Sequence, residues 1–417
     1  MAARIRPNHS FFSIRSALFR GISTSQISRA QYPTRYEAVV VGAGPAGLAA
    51  VGYLLEEGKR PVLWVDERFH GGRLDGKYRE VPANTKVKRF VSYADSTRAF
   101  KEITGSAKKP NAYEALRDAD QESTSHISEA ADMCIMLTEA LNESKGVVKQ
   151  TGRVTDAEWT EKAKWSVSVR SKDGKKKTKV ISDLLVLCTG ASPNSRPLPV
   201  DIEAIDLDYA LSPTRLAKLI STSAKIEVGV IGASHSAILV LLNLYKLAST
   251  THPSLRIKWF TRHPLRYAEE RGSWIYRDNT GLKGFVATWA RENLEPARLP
   301  SAPISAHLTK ISTPKDPEGE KAAFSAHLAN CTHVVQAIGY HADPIPELSI
   351  EGKNVDVRSD HEMGGFVDAE GGRVRGLYGL GIAFPERVTD PEGNVEFAVG
   401  LFKFVSYLGR VVKGWKA

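Results

Sequence analysis

Residues 36–67 read YEAVVVGAGPAGLAAVGYLLEEGKRPVLWVDE, and this stretch decides the fold. Val39-Val40-Val41 is a short β-branched run, the signature of a buried strand. Gly42, Gly44 and Gly47 follow as G-x-G-x-x-G around Pro45 and Ala46, and Leu48 to Glu57 has helix composition ended by Gly58. Val62-Leu63-Trp64-Val65 is a second strand, closed by Asp66 and Glu67, with Asp66 placed 24 residues beyond Gly42. Strand, glycine turn, helix and a distant acid together make a dinucleotide-binding unit, whereas the glycine triplet alone is weak. Gly42 permits the tight turn, Gly44 admits a pyrophosphate to the backbone, and Gly47 lets helix and strand pack closely. The helix N-terminus attracts phosphate, and Asp66 suits ribose hydroxyls. This motif alone does not separate FAD from NAD.

Further along, residues 226–247 read IEVGVIGASHSAILVLLNLYKL, a second strand, small-residue turn and helix. Gly232, Ser234 and Ala237 stand at the three glycine positions, with His235 and Ser236 inside the turn. The next strand, Ile257 to Phe260, ends in Thr261-Arg262 where the first unit has Asp66. An acid there repels a 2′-phosphate and an arginine pairs with it, so Arg262, with His263 and Arg266 nearby, argues for NADPH over NADH. His235 is expected beside the pyrophosphate rather than as a base.

The rest of the chain narrows the class. At 417 residues with 42% hydrophobic and 25% charged content it is a globular protein of about two domains, with no run near the roughly 18 apolar residues of a membrane span. The net charge of +10 is concentrated at the start, where Arg4, Arg6, Arg15, Arg20, Arg29 and Arg35 precede the first acid, Glu37. Lys175-Lys176-Lys177 after Asp173-Gly174 reads as a hairpin tip, so no nucleic-acid partner is expected. Residues 1–35 are rich in Arg and Ser and carry Ile14 and Leu18 one helical repeat apart. They read as a mitochondrial transit peptide cleaved near Ala30, placing the mature chain in the matrix; a plain basic tail on a cytoplasmic protein is the alternative. Cys134, Cys188 and Cys331 form no C-x-x-C, so zinc, disulfide and dithiol chemistry are unsupported.

Two cradles in this order resemble the two-dinucleotide-binding-domain flavoproteins, which include the disulfide reductases and the class B flavin monooxygenases. Leu184 to Ala191 is similar to the segment where such chains leave the FAD domain, His333 to Tyr340 to the return, and Gly376 to Ile382 to the strand passing the flavin ribityl chain. The resemblance implies an α/β fold of two Rossmann-like domains, an NADPH domain (204–330) inserted in a discontinuous FAD domain (36–203 and 331–417). It implies FAD and NADPH as cofactors, with contacts also from Glu67, Arg73, Val154, Thr189, Gly190, Gly339, Gly381 and Asn394, the last starting a helix aimed at the flavin. Lacking a dithiol, and with Ile382 where the disulfide reductases carry an acid, the chain resembles the monooxygenases more closely. The F-x-G-x-x-H fingerprint of the Baeyer–Villiger and dimethylaniline groups is absent.

Two polar clusters stand out. Val81-Pro-Ala-Asn84-Thr-Lys86 follows the Gly71-Gly72-Arg73 loop, and Asn84 and Lys86 are candidates to stabilise charge at the flavin edge, or else belong to a turn. Asn279, in Arg277 to Gly284, is a candidate at the nicotinamide or substrate, or else a turn or helix cap. No nucleophile–base pair is evident, as suits chemistry done by a flavin. The leading expectation is hydroxylation of a small molecule by oxygen through a flavin C4a-peroxide. A reductase serving a quinone, and a non-catalytic flavoprotein, are the alternatives.

Overall fold

The computed structural model describes residues 35–222 and 225–417, so the leader assigned to residues 1–35 lies, apart from Arg35, outside them. The first sheet has ten strands and the second five. At the centre of the first, Arg35–Val41 runs parallel to Val62–Asp66 and to Lys177–Leu187. Val39 and Val40 are wholly buried. Val147–Thr160 flanks the second strand and Arg373–Gly379 flanks Lys177–Leu187, both parallel. Val147–Thr160, Lys164–Ser171 and Lys177–Leu187 form the antiparallel meander, with Trp165, Val167, Val169 and Val180 inward. Lys177 at its tip pairs with Asp156 at 2.9 Å.

The second sheet is parallel throughout, in the order Leu308–Ser312, Arg256–Thr261, Glu227–Ile231, His333–Gln336, Glu203–Ala204. Two boundaries therefore move. His333–Gln336 is a strand of the inserted lobe, not the start of the returning FAD domain, and Glu203–Ala204 joins it. The helix Pro317–Leu328 puts Phe324 and Leu328 beneath Phe260 and Gly229, which requires its following strand to lie beside Glu227–Ile231. A four-residue strand with two apolar residues carries no sign of which sheet receives it. The actual return is Tyr340–Ala342, paired antiparallel with the exit strand Ala191–Pro193 as a two-stranded ribbon.

A second correction concerns the C-terminus. Asn394 starts no helix: Glu386–Thr389 and Val395–Ala398 form a hairpin, and Asn394 Nδ2 donates to Asp390 Oδ2 at 2.9 Å across its turn. Asp390-Pro-Glu-Gly393 is turn chemistry, and the helix starts later, at Leu401–Val411, after Gly400 with φ 143°. Among the described residues no helix is long and apolar enough to cross a membrane.

The two lobes share one internal device. Trp64 and Trp259, each in the second strand of its cradle and each 0% exposed, donate their indole N–H to the first glycine's carbonyl, at 2.9 Å to Gly42 and 2.7 Å to Gly232. Trp259→Phe keeps an aromatic ring and removes the donor from the half-buried Gly232 carbonyl, so unfolding should lose about 1–2 kcal/mol. Urea midpoints measure this, and a variant matching wild type would show that the bond contributes nothing.

Candidate active site

Two glycines of the first cradle meet a definite obstacle and the third leaves room. Gly42 has φ 104°, and a Cβ there would stand 2.3 Å from Cys188 O. A Cβ on Gly47 would stand 1.8 Å from Gly42 O. Gly44 caps the helix Pro45–Glu56, and a Cβ on it would meet Gly72 Cα at 3.9 Å, which leaves room for an approaching phosphate. That helix has no acid in its first turn and no side-chain cap, so its N-terminal donors are left for an anion. Gly381, at φ 98°, brings its loop against the same turn, where a Cβ would lie 2.6 Å from Ala46 Cβ. Thr189 Oγ1 is buried without a partner beside Gly190, and Gly190 has φ 86°. These features fit an FAD diphosphate and its neighbouring chain. The sequence reading missed Gly72, which at φ 61° forms the opposite wall: a Cβ there would lie 2.9 Å from Gly44 Cα.

Several expected cofactor contacts have other partners. Asp66 accepts from Ala43 N at 2.8 Å and from Arg68 N and Phe69 N at 2.7 Å, so the carboxylate also builds the loop around the cradle. Glu67 turns outward to Arg153 at 3.2 Å. Val154 is 4% exposed in the core, which leaves its backbone alone to meet a nucleotide. Arg73 likewise has a protein partner: its guanidinium pairs with Asp208 of the inserted lobe. Opposite charge on a buried carboxylate outcompetes a solvent-facing role.

In the second cradle Gly232 has φ 130°, and a Cβ would lie 2.3 Å from Ala337 O. Ser234 caps His235–Thr250, whose first turn also lacks an acid. His235 Nδ1 is buried without a partner, and burial, aided by nearby Lys283, pushes the imidazole down to about 4. The ring is therefore neutral at pH 7. With its folded value below the ordinary 6.5, it contributes stability above pH 6.5 that is lost as pH falls toward 4, about 2 kcal/mol after allowing for partial exposure. His235→Gln should flatten unfolding free energy over that window, and an unchanged slope would assign the acid sensitivity elsewhere.

A cavity of about 1490 Å³ opens between Ser234, His235 and Ser236, the Gly339-Tyr340 corner, the loop Asp278 to Gly284 and the start of the last helix at Gly400 to Lys403. Gly339 has φ 101°. Asn84 stands exposed on the cavity wall, while Lys86 beside it is tied to Glu122 at 3.0 Å. Asn279 is not presented as a free amide. Its N–H and Nδ2 donate to Glu396 at 2.9 and 3.1 Å, and its Oδ1 accepts from Lys403. Thr280 also donates to Glu396, and Asp278 receives both Lys283 and Lys403. This clasp joins the nicotinamide-side loop to the C-terminal elements across the cavity.

Arg262 donates to Glu320 at 2.6 and 3.3 Å, and Arg196 meets the same carboxylate at 2.8 Å. Burial opposes the charge on Glu320, yet the two arginines hold its carboxyl below the usual range. Arg262 also lines a pocket of about 280 Å³ with His263, Lys310 and Ser312. Cys134 and Cys188 are buried, which pushes both thiols well above their ordinary value.

Two dinucleotide cradles, the second of them opening onto the large cavity, define a flavin- and nicotinamide-dependent oxidoreductase. Residues 36–252 match the pyridine nucleotide-disulphide oxidoreductase family, and the chain belongs to it. The monooxygenase AgnR1 of Paecilomyces divaricatus is 47% identical over 391 residues, covering 92% of this chain and 99% of that one. The FAD-bound cadaverine monooxygenase DfoA of the desferrioxamine pathway of Erwinia amylovora shares the fold, with TM-score 0.57 at 14% identity over 92% of this chain and 96% of that one. The expected fold class, cofactors and resemblance to monooxygenases stand.

Proposed function

We propose that this chain is an FAD-dependent, NADPH-using monooxygenase that hydroxylates a small molecule with molecular oxygen. The observation that carries the reading is the single cavity onto which the second cradle and the start of the last helix both open. Its full-length relative is a monooxygenase, and no dithiol stands in the way of that chemistry. Bound FAD would accept electrons from NADPH and supply the oxygen activation. The chain's own residues do the rest. Gly42, Gly44, Gly47, Gly72 and Thr189 hold the FAD, and Gly232, Ser234 and Ser236 hold the nicotinamide diphosphate. Neutral His235 leaves the diphosphate's charge to the helix N-terminus, and Asn84 offers its amide on the wall. Arg262, His263 and Lys310 take the 2′-phosphate, with Glu320 competing for the guanidinium.

The test is anaerobic reduction by NADPH or NADH followed by labelled oxygen and a panel of small amines, ketones and phenols. Label in a product supports the reading. Peroxide as the sole oxygen product, with quinones speeding reoxidation, would replace it with the reductase reading. Arg262→Ala should raise KM for NADPH on the order of 30-fold, about 2 kcal/mol for a charge-assisted bond, and leave NADH unaffected. Equal losses with both coenzymes would remove Arg262 from phosphate recognition. The leader reading is carried forward too: residues 1–35 fused to a fluorescent protein should send it to mitochondria, and a diffuse signal would discard that assignment.

A further inference from the structure

A run of side-chain contacts joins the two cradles at the place where the chain crosses between lobes. It begins at Arg73, next to the Gly72 wall of the first cradle. Arg73 pairs with Asp208, a carboxylate residue 3% exposed in the helix Leu207–Ala210. Tyr78 OH, at the other end of the helix Arg73–Tyr78, donates to Asp208 Oδ1 at 2.8 Å and lies 3.4 Å from Tyr340 OH. Tyr340, in the returning strand, shares the cavity wall with Ser236 in the first turn of the second cradle's helix. On the exit strand, Arg73 Nη1 lies 3.4 Å from Ser192 Oγ, which donates to Asp343 Oδ1 at 2.5 Å. Both strands of the connecting ribbon are thus held by one polar network centred on Asp208.

Three residues paired with three make a weak joint, since an isolated two-stranded ribbon is marginal in water. A buried ion pair is also a poor stabiliser compared with apolar packing, because its desolvation offsets its attraction. What such a network supplies is direction: Arg73 and Tyr78 belong to the FAD lobe, Asp208 to the inserted lobe. We propose that Asp208 is a positioning residue that sets the angle at which the nicotinamide cradle faces the FAD cradle, and so the rate of electron transfer between the two cofactors. The proposal rests on the two-cofactor oxidoreductase reading. Transfer over contact distance is steep in geometry, and a misplacement of about 1 Å can cost on the order of 100-fold in rate.

The holoenzyme is compared with Asp208→Asn, and with Tyr340→Phe, which removes the hydroxyl facing Tyr78 OH while leaving the buried carboxylate paired. Three quantities are read: the limiting rate of anaerobic flavin reduction at saturating NADPH, the Kd of NADP⁺ by titration, and amide hydrogen exchange in Ala191–Pro193 and Tyr340–Ala342. Asp208→Asn should slow reduction at least about tenfold, with Tyr340→Phe smaller in the same direction. NADP⁺ affinity and flavin content should stay within about twofold, and exchange in the ribbon should rise on the order of tenfold. Faster exchange with an unchanged reduction rate would overturn the proposal, leaving the network a merely structural tie. Weakened NADP⁺ binding at an unchanged rate would overturn it as well. If Asp208→Asn does not fold, Tyr340→Phe decides by the same criteria. A wild type that NADPH does not reduce would sink the oxidoreductase reading instead, and unchanged ribbon exchange in the variants would then overturn the positioning role by itself.

Discussion

Gly47→Ala should yield a chain that no longer holds flavin. The added Cβ would stand 1.8 Å from Gly42 O and 2.8 Å from Gly42 C, both backbone atoms of the opposite arm of the cradle. Neither can retreat cheaply, because Gly42 O accepts from Trp64 at 2.9 Å and Gly42 N donates to Val65 O at 2.8 Å. The helix Pro45–Glu56 must tilt away instead, carrying its N-terminal donors off the diphosphate. Overpacking of this kind costs about 3 kcal/mol, which corresponds to roughly 150-fold in FAD affinity if it falls on the bound state. The ratio of flavin to protein absorbance after desalting measures it, with circular dichroism to confirm the fold. Gly232→Ala is the matched control, since its Cβ would strike Ala337 O at 2.3 Å in the other cradle. It should keep the flavin and lose NADP⁺ binding. Stoichiometric flavin in Gly47→Ala would remove the first cradle as the FAD site.

The cradles were legible because their requirements are local. A glycine at φ 104° or 130°, a strand before it and a helix after it all lie in one short continuous stretch of chain, so the local pattern announces them. The Asp208 partner of Arg73 was not legible, because it lies 135 positions away and no local pattern announces a contact with a distant helix. The partner of Asn279 was hidden in the same way, its carboxylate being 117 positions on, although the residue does line the cavity. The C-terminal error had a different cause. Val395, Glu396, Phe397 and Ala398 alternate as a strand does, but the alternation is inverted: Val395 and Phe397 are 47% and 48% exposed, while Glu396 is 8% exposed. A buried glutamate is chosen by what it meets in the other lobe, and periodicity carries no record of that.

Glu396→Ala should destabilise the chain by about 2–4 kcal/mol, more than any other exchange on the cavity wall. Glu396 receives Asn279 N, Asn279 Nδ2 and Thr280 Oγ1, so its loss strands three donors of one loop at once. It also leaves Lys283 and Lys403 facing Asp278 as the one remaining carboxylate of the clasp. Burial works against the charge on Asp278, but Lys403 and Lys283 hold its carboxyl below the ordinary value. That depressed group contributes stability at neutral pH which is lost as pH falls through its folded value, so acid should add to the defect of the variant rather than mask it. Glu396→Gln keeps an acceptor for the loop and should cost about 1 kcal/mol. Urea midpoints of the two variants measure the difference, and an alanine variant within about 0.5 kcal/mol of wild type would show that the clasp adds nothing to the fold. The clasp also closes one side of the chamber in which oxygen chemistry is proposed, joining the loop from Asp278 to Lys403 in the first turn of Leu401–Val411. With it open, water reaches the chamber, so Glu396→Ala should release more peroxide per NADPH oxidised even where reduction of the flavin is unchanged.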